Sequence, residues 1–362
     1  MMRSWKERLL RVPKATGLFR WMRRHHRHEL LVLTYHSVVK GVQEHRRRHP
    51  LVYRNAVDAD RFERQMRYLK RHYRLLDGAD LRAVLEGASS PERAVLVTFD
   101  DGLLNNKTVA LPILRRLDVP AVFFLPTGFL DAASDGRLRR HWSEGLIAHL
   151  SHQVRQNTFD PAVLTAQLPG LEANPTNHSP PGAILRIVDH LKTIPHAERT
   201  ERLTTLRDAL GDPPPPSAFP ADPEGHSILT TMPWDDARTA ATHGITLGAH
   251  TVNHESLSRV PDEQAATEIE DSLTAIADHT DQAADIFSYP YGSGRDFDDQ
   301  HKRMLSEAGC RGAFTQIVGF NDTSTDPLAL RRIDVSPNYD LAMFAYVVSG
   351  TKLAVDRVVR RR

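Results

Sequence analysis

Three short stretches carry side chains that could do chemistry. Val95-Leu96-Val97-Thr98-Phe99 runs into Asp100-Asp101-Gly102, and Ile245-Thr246-Leu247-Gly248-Ala249 runs into His250-Thr251-Val252-Asn253-His254. Leu30-Leu31-Val32-Leu33-Thr34-Tyr35 runs into His36. Each is an apolar, strand-forming run that ends in groups able to ligate a metal or move a proton. Two carboxylates held side by side at the end of a buried strand are costly unless a cation or a proton compensates them. Alone, Asp100-Asp101-Gly102 is also an ordinary Asp-Gly turn. With 19 histidines in the chain, a pair four apart arises readily by chance, and a lone His36 reads as a satisfied strand-end residue. The conjunction changes the weighing, because the acids and the imidazoles end separate apolar runs at the same relative place. Two histidines and one carboxylate with an open position form the ligand pattern of catalytic zinc. A divalent ion there acidifies water and polarises a carbonyl oxygen, and the second aspartate is free to take the proton.

The elements that must position these groups alternate. The spacing of apolar residues predicts helices over 60–72, 80–86 and 103–117, with strands over 30–38, 73–76, 95–99 and 121–125. Residues 39–55 are polar and basic and read as a loop. After residue 229 the rhythm resumes, with helices over 234–243, 261–279, 301–308 and 341–348. Strands are expected over 245–250, 286–289, 312–315 and 332–335. Strand–helix–strand at short intervals indicates β/α units around a parallel sheet. In a β/α barrel, functional residues gather at the C-terminal ends of the strands, which brings His36, Asp100, Asp101, His250 and the turn Tyr289-Pro290-Tyr291-Gly292 together. The expected fold is therefore α/β, a (β/α) barrel over residues 30–350. Residues 130–229 break the rhythm. They carry helical patterns over 141–152, 184–191 and 197–210, separated by Pro169, Pro175, Pro180-Pro181 and Pro213 to Pro216. This reads as a mostly helical, proline-rich insertion.

Composition bounds the remaining classes. The net charge of +2 on 362 residues gives no global case for a nucleic-acid partner. The ends are basic. Residues 1–28 hold nine Lys/Arg against Glu7 alone, and Arg357 to Arg362 adds four arginines. Segment 1–29 could form a basic amphipathic helix, lying on an anionic membrane surface or docking on its own domain. Segment 351–362 reads as a basic tail. Cys310 is the single cysteine, so a disulfide framework and a cysteine metal site are both excluded, and any metal must sit on histidine and carboxylate. Leu9-Leu10 is interrupted by Arg11, and no apolar run reaches the roughly 18 residues of a membrane span. The expected location is cytoplasmic, or peripheral on the inner membrane.

The motif Thr98-Phe99-Asp100-Asp101-Gly102, followed by His250-Thr251-Val252-Asn253-His254, resembles the polysaccharide deacetylases of the NodB-homology family, carbohydrate esterase family 4. The resemblance covers roughly residues 30–130 and 230–340. It implies a distorted (β/α) barrel that removes acetyl groups from N-acetylated sugars. It implies that Asp101, His250 and His254 bind a divalent ion, zinc first among the candidates, and that Asp100 is the general base. Tyr289-Pro290-Tyr291-Gly292 is similar to the family's third motif, which lines the groove with Pro290 and Tyr291. The Tyr291 N–H would there help hold the oxyanion. Two departures stand out. The arginine expected two residues before the proline is Ser288, which leaves Arg332, with Arg331 second, to orient Asp100. The late Leu-x-His motif is absent. Tyr35-His36 is similar to the permuted branch of poly-β-1,6-N-acetylglucosamine deacetylases, which implies His36 as the general acid, with Asp334 a candidate partner.

The substrate implied is an N-acetylated glycan or a lipid-linked sugar. An O-acetyl esterase uses the same residues, and a non-catalytic glycan-binding module could keep the scaffold. The terminal arginines lack the interleaved aromatics of a nucleic-acid module.

Overall fold

The computed structural model describes residues 17–168, 171, 179–214 and 228–360. The first sixteen residues of the basic N-terminal segment, and Pro169, Pro175, Pro215 and Pro216 of the proline-rich gaps, lie outside the described residues.

The strands are β1 (Leu31–Tyr35), β2 (Ser37–Val39), β3 (Ala56–Asp58), β4 (Arg74–Leu75) and β5 (Ala94–Phe99), then β6 (Ala121–Leu125), β7 (Ile245–Ala249), β8 (Ile286–Ser288), β9 (Gly312–Val318) and β10 (Leu330–Asp334). β5 through β10, leaving out no strand between them, pair side by side in parallel, and β1 bonds to both β10 and β5. That double pairing closes a parallel barrel. β4 adds to the start of β5, and β2 pairs with β3 in a separate two-stranded sheet.

Side chains alternate along a strand, so one parity fills the barrel and the other packs under the surrounding helices. Val32, Leu96, Val122, Phe124, Ile286, Phe314 and Leu330 form the first cluster; Leu33, Val97, Phe123 and Leu247 belong to the second. Phe124 meets Phe314 with ring centroids 5.1 Å apart. Burying a ring of this kind stabilises by about 1.5–3 kcal/mol. A Cβ on Gly248 would come 2.6 Å from the Phe124 ring, which is why β7 carries a glycine there. The inward parity runs on to His36, Asp100, His250, Ser288, Gln316 and Arg332. The same alternation that fills the barrel therefore aims these polar groups at its C-terminal mouth.

Five differences from the sequence-based expectations have local causes. Residues 30–38 form two strands, broken at His36. Residues 39–55 contain a helix, Val42–Arg48. Its one apolar anchor, Val42, is fully buried, and the Arg46 guanidinium donates to the carbonyls of Tyr53 and Ala56. The expected helix over 103–117 is a π-turn, Asn106–Ala110, followed by an α-helix, Leu111–Leu117. Pro180 and Pro181 open the helix Pro180–Thr193 rather than interrupt one, because a first-turn residue needs no N–H partner. The tail over 351–362 contains a helix, Thr351–Arg360.

Between β6 and β7 lie helices Trp142–Gln156, Pro161–Ala166, Pro180–Thr193 and His196–Leu210. They share an apolar cluster of their own, which includes Leu146, Leu150, Leu164, Ile187, Leu191 and Leu206. At the opposite end, helix Leu18–His25 buries Phe19 and Met22, and Arg23 donates to the Tyr68 hydroxyl at 2.9 Å. Trp21 on the same helix is 60% exposed. Cys310 is buried, which pushes its thiol up to about 12. Among the described residues no helix is long and apolar enough to cross a membrane.

Candidate active site

The register of the barrel assembles the site. β1 and β5 pair Tyr35 with Phe99, so His36 and Asp100 leave the barrel as neighbours. The Asp100 N–H donates to the Tyr35 carbonyl at 3.0 Å. On the far side the His250 N–H donates to the Leu125 carbonyl at 3.0 Å, extending the β6–β7 ladder into the loop.

Asp100 is 2% exposed and Arg332 fully buried. The Arg332 guanidinium grips both carboxylate oxygens, at 2.8 Å and 2.7 Å. Its remaining donors reach the Thr315 carbonyl at 2.7 Å and Ser288 Oγ at 2.8 Å. Serine at position 288 leaves the room that Arg332 fills. Gln316 adds a weaker donation to Asp100 at 3.3 Å. Burial is the largest single influence and raises the Asp100 pKa; the charge and hydrogen bonds of Arg332, together with His250 and His36, outweigh it, and the carboxyl sits below its ordinary range. Arg331, by contrast, is exposed, and its stem lies against Gly319.

Asp101, His250 and His254 converge beside Asp100. Asp101 Oδ1 lies 3.1 Å from His254 Nε2 and 3.7 Å from His250 Nε2. The three ligand atoms fall within 4.8 Å of one another. His250 Nδ1 donates to the Ser288 carbonyl at 2.6 Å, which leaves its Nε2 lone pair facing Asp101. Burial raises the Asp101 carboxyl, but its contacts with the His250 and His254 rings hold it well below the carboxylate range. Two neutral-capable imidazoles and one ionised carboxylate, aimed at one point, fit a divalent ion of zinc type.

The backbone here is strained. Asp101, Thr251, His254 and Tyr291 all have positive φ, at 74°, 61°, 56° and 60°. Such conformations cost of order 1–3 kcal/mol each and persist only where the surroundings enforce them. For the histidine loop Glu268 supplies part of that enforcement: its carboxylate accepts from the Val252 and Asn253 N–H groups, both at 2.8 Å.

His36 sits opposite, partly open to the cleft, with Nδ1 3.8 Å from Asp334 Oδ1. The π-turn explains how its strand end is held. Asn106 donates to the His36 carbonyl at 2.8 Å, and Asn105 accepts from the Val38 N–H at 3.1 Å. π-turns commonly mark functional positions in helices.

Tyr291 projects into the cleft. Its hydroxyl receives a bond from Trp142 Nε1 at 3.1 Å and lies 3.1 Å from His141 Nε2. Its N–H has no backbone partner among the described residues. Pro290 does not line the cleft as expected: it is buried in the turn, with its carbonyl accepting from the Gly292 N–H. The proline sets the turn, and the tyrosine faces the cleft.

The cavity over these groups measures about 360 Å³, and Arg54, Arg140, His141 and Lys192 are among the other residues of its wall. None of these four was read from the sequence, since each arrives from outside the barrel. Glu268 could have been: it is an acid on the buried face of helix Asp262–His279, between Ala265 and Ile269.

With this geometry in place, comparison with known proteins gives concordant results. The sequence model of the polysaccharide deacetylase family matches residues 87–163 and 221–313. The chain is 27% identical over 118 residues to YxkH of Bacillus subtilis (strain 168), a protein named for the same family. That stretch is 33% of this chain and spans 41% of YxkH. Among solved structures, the deacetylase PplD of Streptococcus pyogenes, in complex with acetate, superposes with a TM-score of 0.57 at 16% identity, covering 89% of this chain and 99% of PplD. IcaB of Ammonifex degensii superposes with a TM-score of 0.52 at 18% identity, covering 89% and 97%. At such identities the likeness is one of fold.

Proposed function

We propose that this chain, which belongs to the polysaccharide deacetylase family, is a metal-dependent hydrolase that removes the acetyl group from an N-acetylated sugar of a glycan or of a lipid-linked glycan precursor. The carrying observation is a single cleft that holds two different carboxylates. Asp101 joins His250 and His254 as a ligand set, while Asp100 is kept ionised beside them by Arg332.

A divalent ion held by Asp101, His250 and His254 would supply Lewis acidity to the acetamide oxygen and lower the pKa of water. The chain's own groups do the rest. Asp100 takes a proton from the attacking water, and Arg332 fixes the direction of its lone pairs. The Tyr291 N–H donates to the oxyanion as the carbonyl becomes tetrahedral. His36 delivers a proton to the departing nitrogen, with Asp334 Oδ1 3.8 Å from its Nδ1. A C–O bond forms, the C–N bond breaks, and acetate and a free amine leave.

His36 opposite Asp100 favours an amide over an ester, because an amine must be protonated to depart and an alkoxide depends on it less. Matched N-acetyl and O-acetyl chitooligosaccharides test this. Wild type should turn over the amide, and His36→Ala should slow amide hydrolysis by about 10²–10⁴-fold, with a smaller loss on the ester. Equal amide turnover by His36→Ala would remove the acid role, and a wild type that hydrolyses the ester alone would make the protein an O-acetyl esterase.

A further inference from the structure

The two protein loops that reach the metal set from β7 and β8 are not held by the barrel alone. His250 has its Nδ1 fixed by the Ser288 carbonyl, but the buried Nδ1 of His254 finds no hydrogen-bond partner on another residue among the described residues. The His254 ring is instead flanked by other rings, with centroids 4.4 Å from His141, 4.7 Å from His250 and 5.4 Å from Tyr291. Its backbone is in the left-handed region. Something beyond its own ring must set its direction.

The residue after it supplies the handle. Glu255 is 6% exposed, and its carboxylate is bonded by Arg199, 2% exposed, from helix His196–Leu210 of the insertion. His196 Nδ1 lies 3.3 Å from the same Glu255 oxygen and 3.1 Å from the Arg199 guanidinium. The guanidinium also lies over the Trp142 ring, 5.1 Å from its centroid. Trp142 in turn bonds the Tyr291 hydroxyl. One buried cation therefore reaches the histidine loop through Glu255 and the β8 turn through Trp142.

We infer that Arg199 is a positioning residue: through Glu255 and Trp142 it fixes His254 and Tyr291 relative to each other, and so makes the helical insertion a determinant of metal affinity. The inference rests on the reading of Asp101, His250 and His254 as metal ligands. Its physical basis is that one buried guanidinium ties Glu255, next to His254, to Trp142, which bonds Tyr291. Without Arg199, Glu255 keeps only His196, 3.3 Å from its oxygen, as a partner from the insertion, and the strained backbone of His254 loses its tie to the indole of Trp142. Arginine is suited to both contacts, since its flat, weakly hydrated fork binds a carboxylate and stacks on an indole at once.

The test titrates Co²⁺ into chelator-stripped full-length protein, reading visible absorption, competition with a chelator and the melting temperature. Arg199→Met should weaken Co²⁺ binding by about 10–100-fold, the range for groups that orient metal ligands, and should change the visible spectrum. Arg199→Lys keeps the charge on Glu255 and should recover most of the affinity. Arg202→Met, a part-exposed position on the same helix that pairs with Glu198, should bind as wild type. If Arg199→Met does not fold, Arg199→Met/Glu255→Leu strands no charge and should still bind weakly with an altered spectrum. Wild-type affinity and spectrum in Arg199→Met, or in the double variant, would overturn the inference, as would an equal loss in Arg202→Met. A wild type that binds no Co²⁺ fails differently: it removes the metal-site reading itself.

Discussion

Asp100→Asn should abolish deacetylation and leave the metal bound. Asparagine preserves the shape of the side chain but cannot take a proton, so the loss expected is that of a general base, at least about 10²–10⁴-fold. Metal content should not change, because Asp100 is not among the three convergent ligand groups. The variant should show the same separation on heating, folding with its metal while turnover stays absent. Metal analysis and acetate release on one preparation check both halves. A variant that loses metal would place Asp100 in the ligand set, and one that keeps turnover would require another base.

Arg332→Met carries the largest expected effect on stability. It leaves a carboxylate 2% exposed whose remaining side-chain hydrogen-bond donors, among the described residues, are Ser288 and Gln316 at 3.5 Å and 3.3 Å. Removing one partner of such a buried pair typically costs about 3–5 kcal/mol. The pH dependence should also change sign. In wild type the folded-state pKa of Asp100 lies below its unfolded value. The pair's contribution is therefore present above the unfolded carboxylate pKa and is lost as pH falls through the folded one. In Arg332→Met burial, the largest influence, is opposed only by His250 and His36 and should raise the folded pKa above the unfolded value, so protonation restores stability as pH falls. Melting curves of metal-free protein should show wild type and variant furthest apart near neutrality and converging in acid. A constant gap across pH would mean that the cost is lost packing against Phe124, whose ring centre lies 5.7 Å from the guanidinium. Arg332→Lys should not restore activity fully, because an ammonium cannot hold both oxygens of Asp100 in one plane.

The barrel was legible because its signals are local. A buried parallel strand announces itself in five or six residues, as at Ala94–Phe99 and Ala121–Leu125, and each ends where its apolar run ends. The gathering of His36, Asp100, Asp101 and His250 at one mouth follows from that pattern and from parallel pairing. What was not legible depends on partners distant in sequence. The π-turn at Asn106–Ala110 exists because Asn105 and Asn106 bond to the segment around His36, some seventy positions earlier. Helix Val42–Arg48 lacks an apolar stripe and is held by Arg46 bonding to Tyr53 and Ala56. His141, Trp142 and Arg199 meet the site across gaps in the chain that no periodicity spans. Pro290 shows the converse: a motif places a residue near a groove without saying which of its side chains faces it.

Acetate release gives the most direct test of the central claim. The protein is offered N-acetylglucosamine oligomers and, separately, a lipid-linked N-acetyl sugar, before and after treatment with a chelator and again after zinc is restored. The account predicts release that the chelator stops and zinc returns, with the faster substrate identifying the glycan class. Release that continues undiminished in metal-free protein would contradict it, because Asp101, His250 and His254 would then be assembled for something other than holding the ion that activates the acetamide.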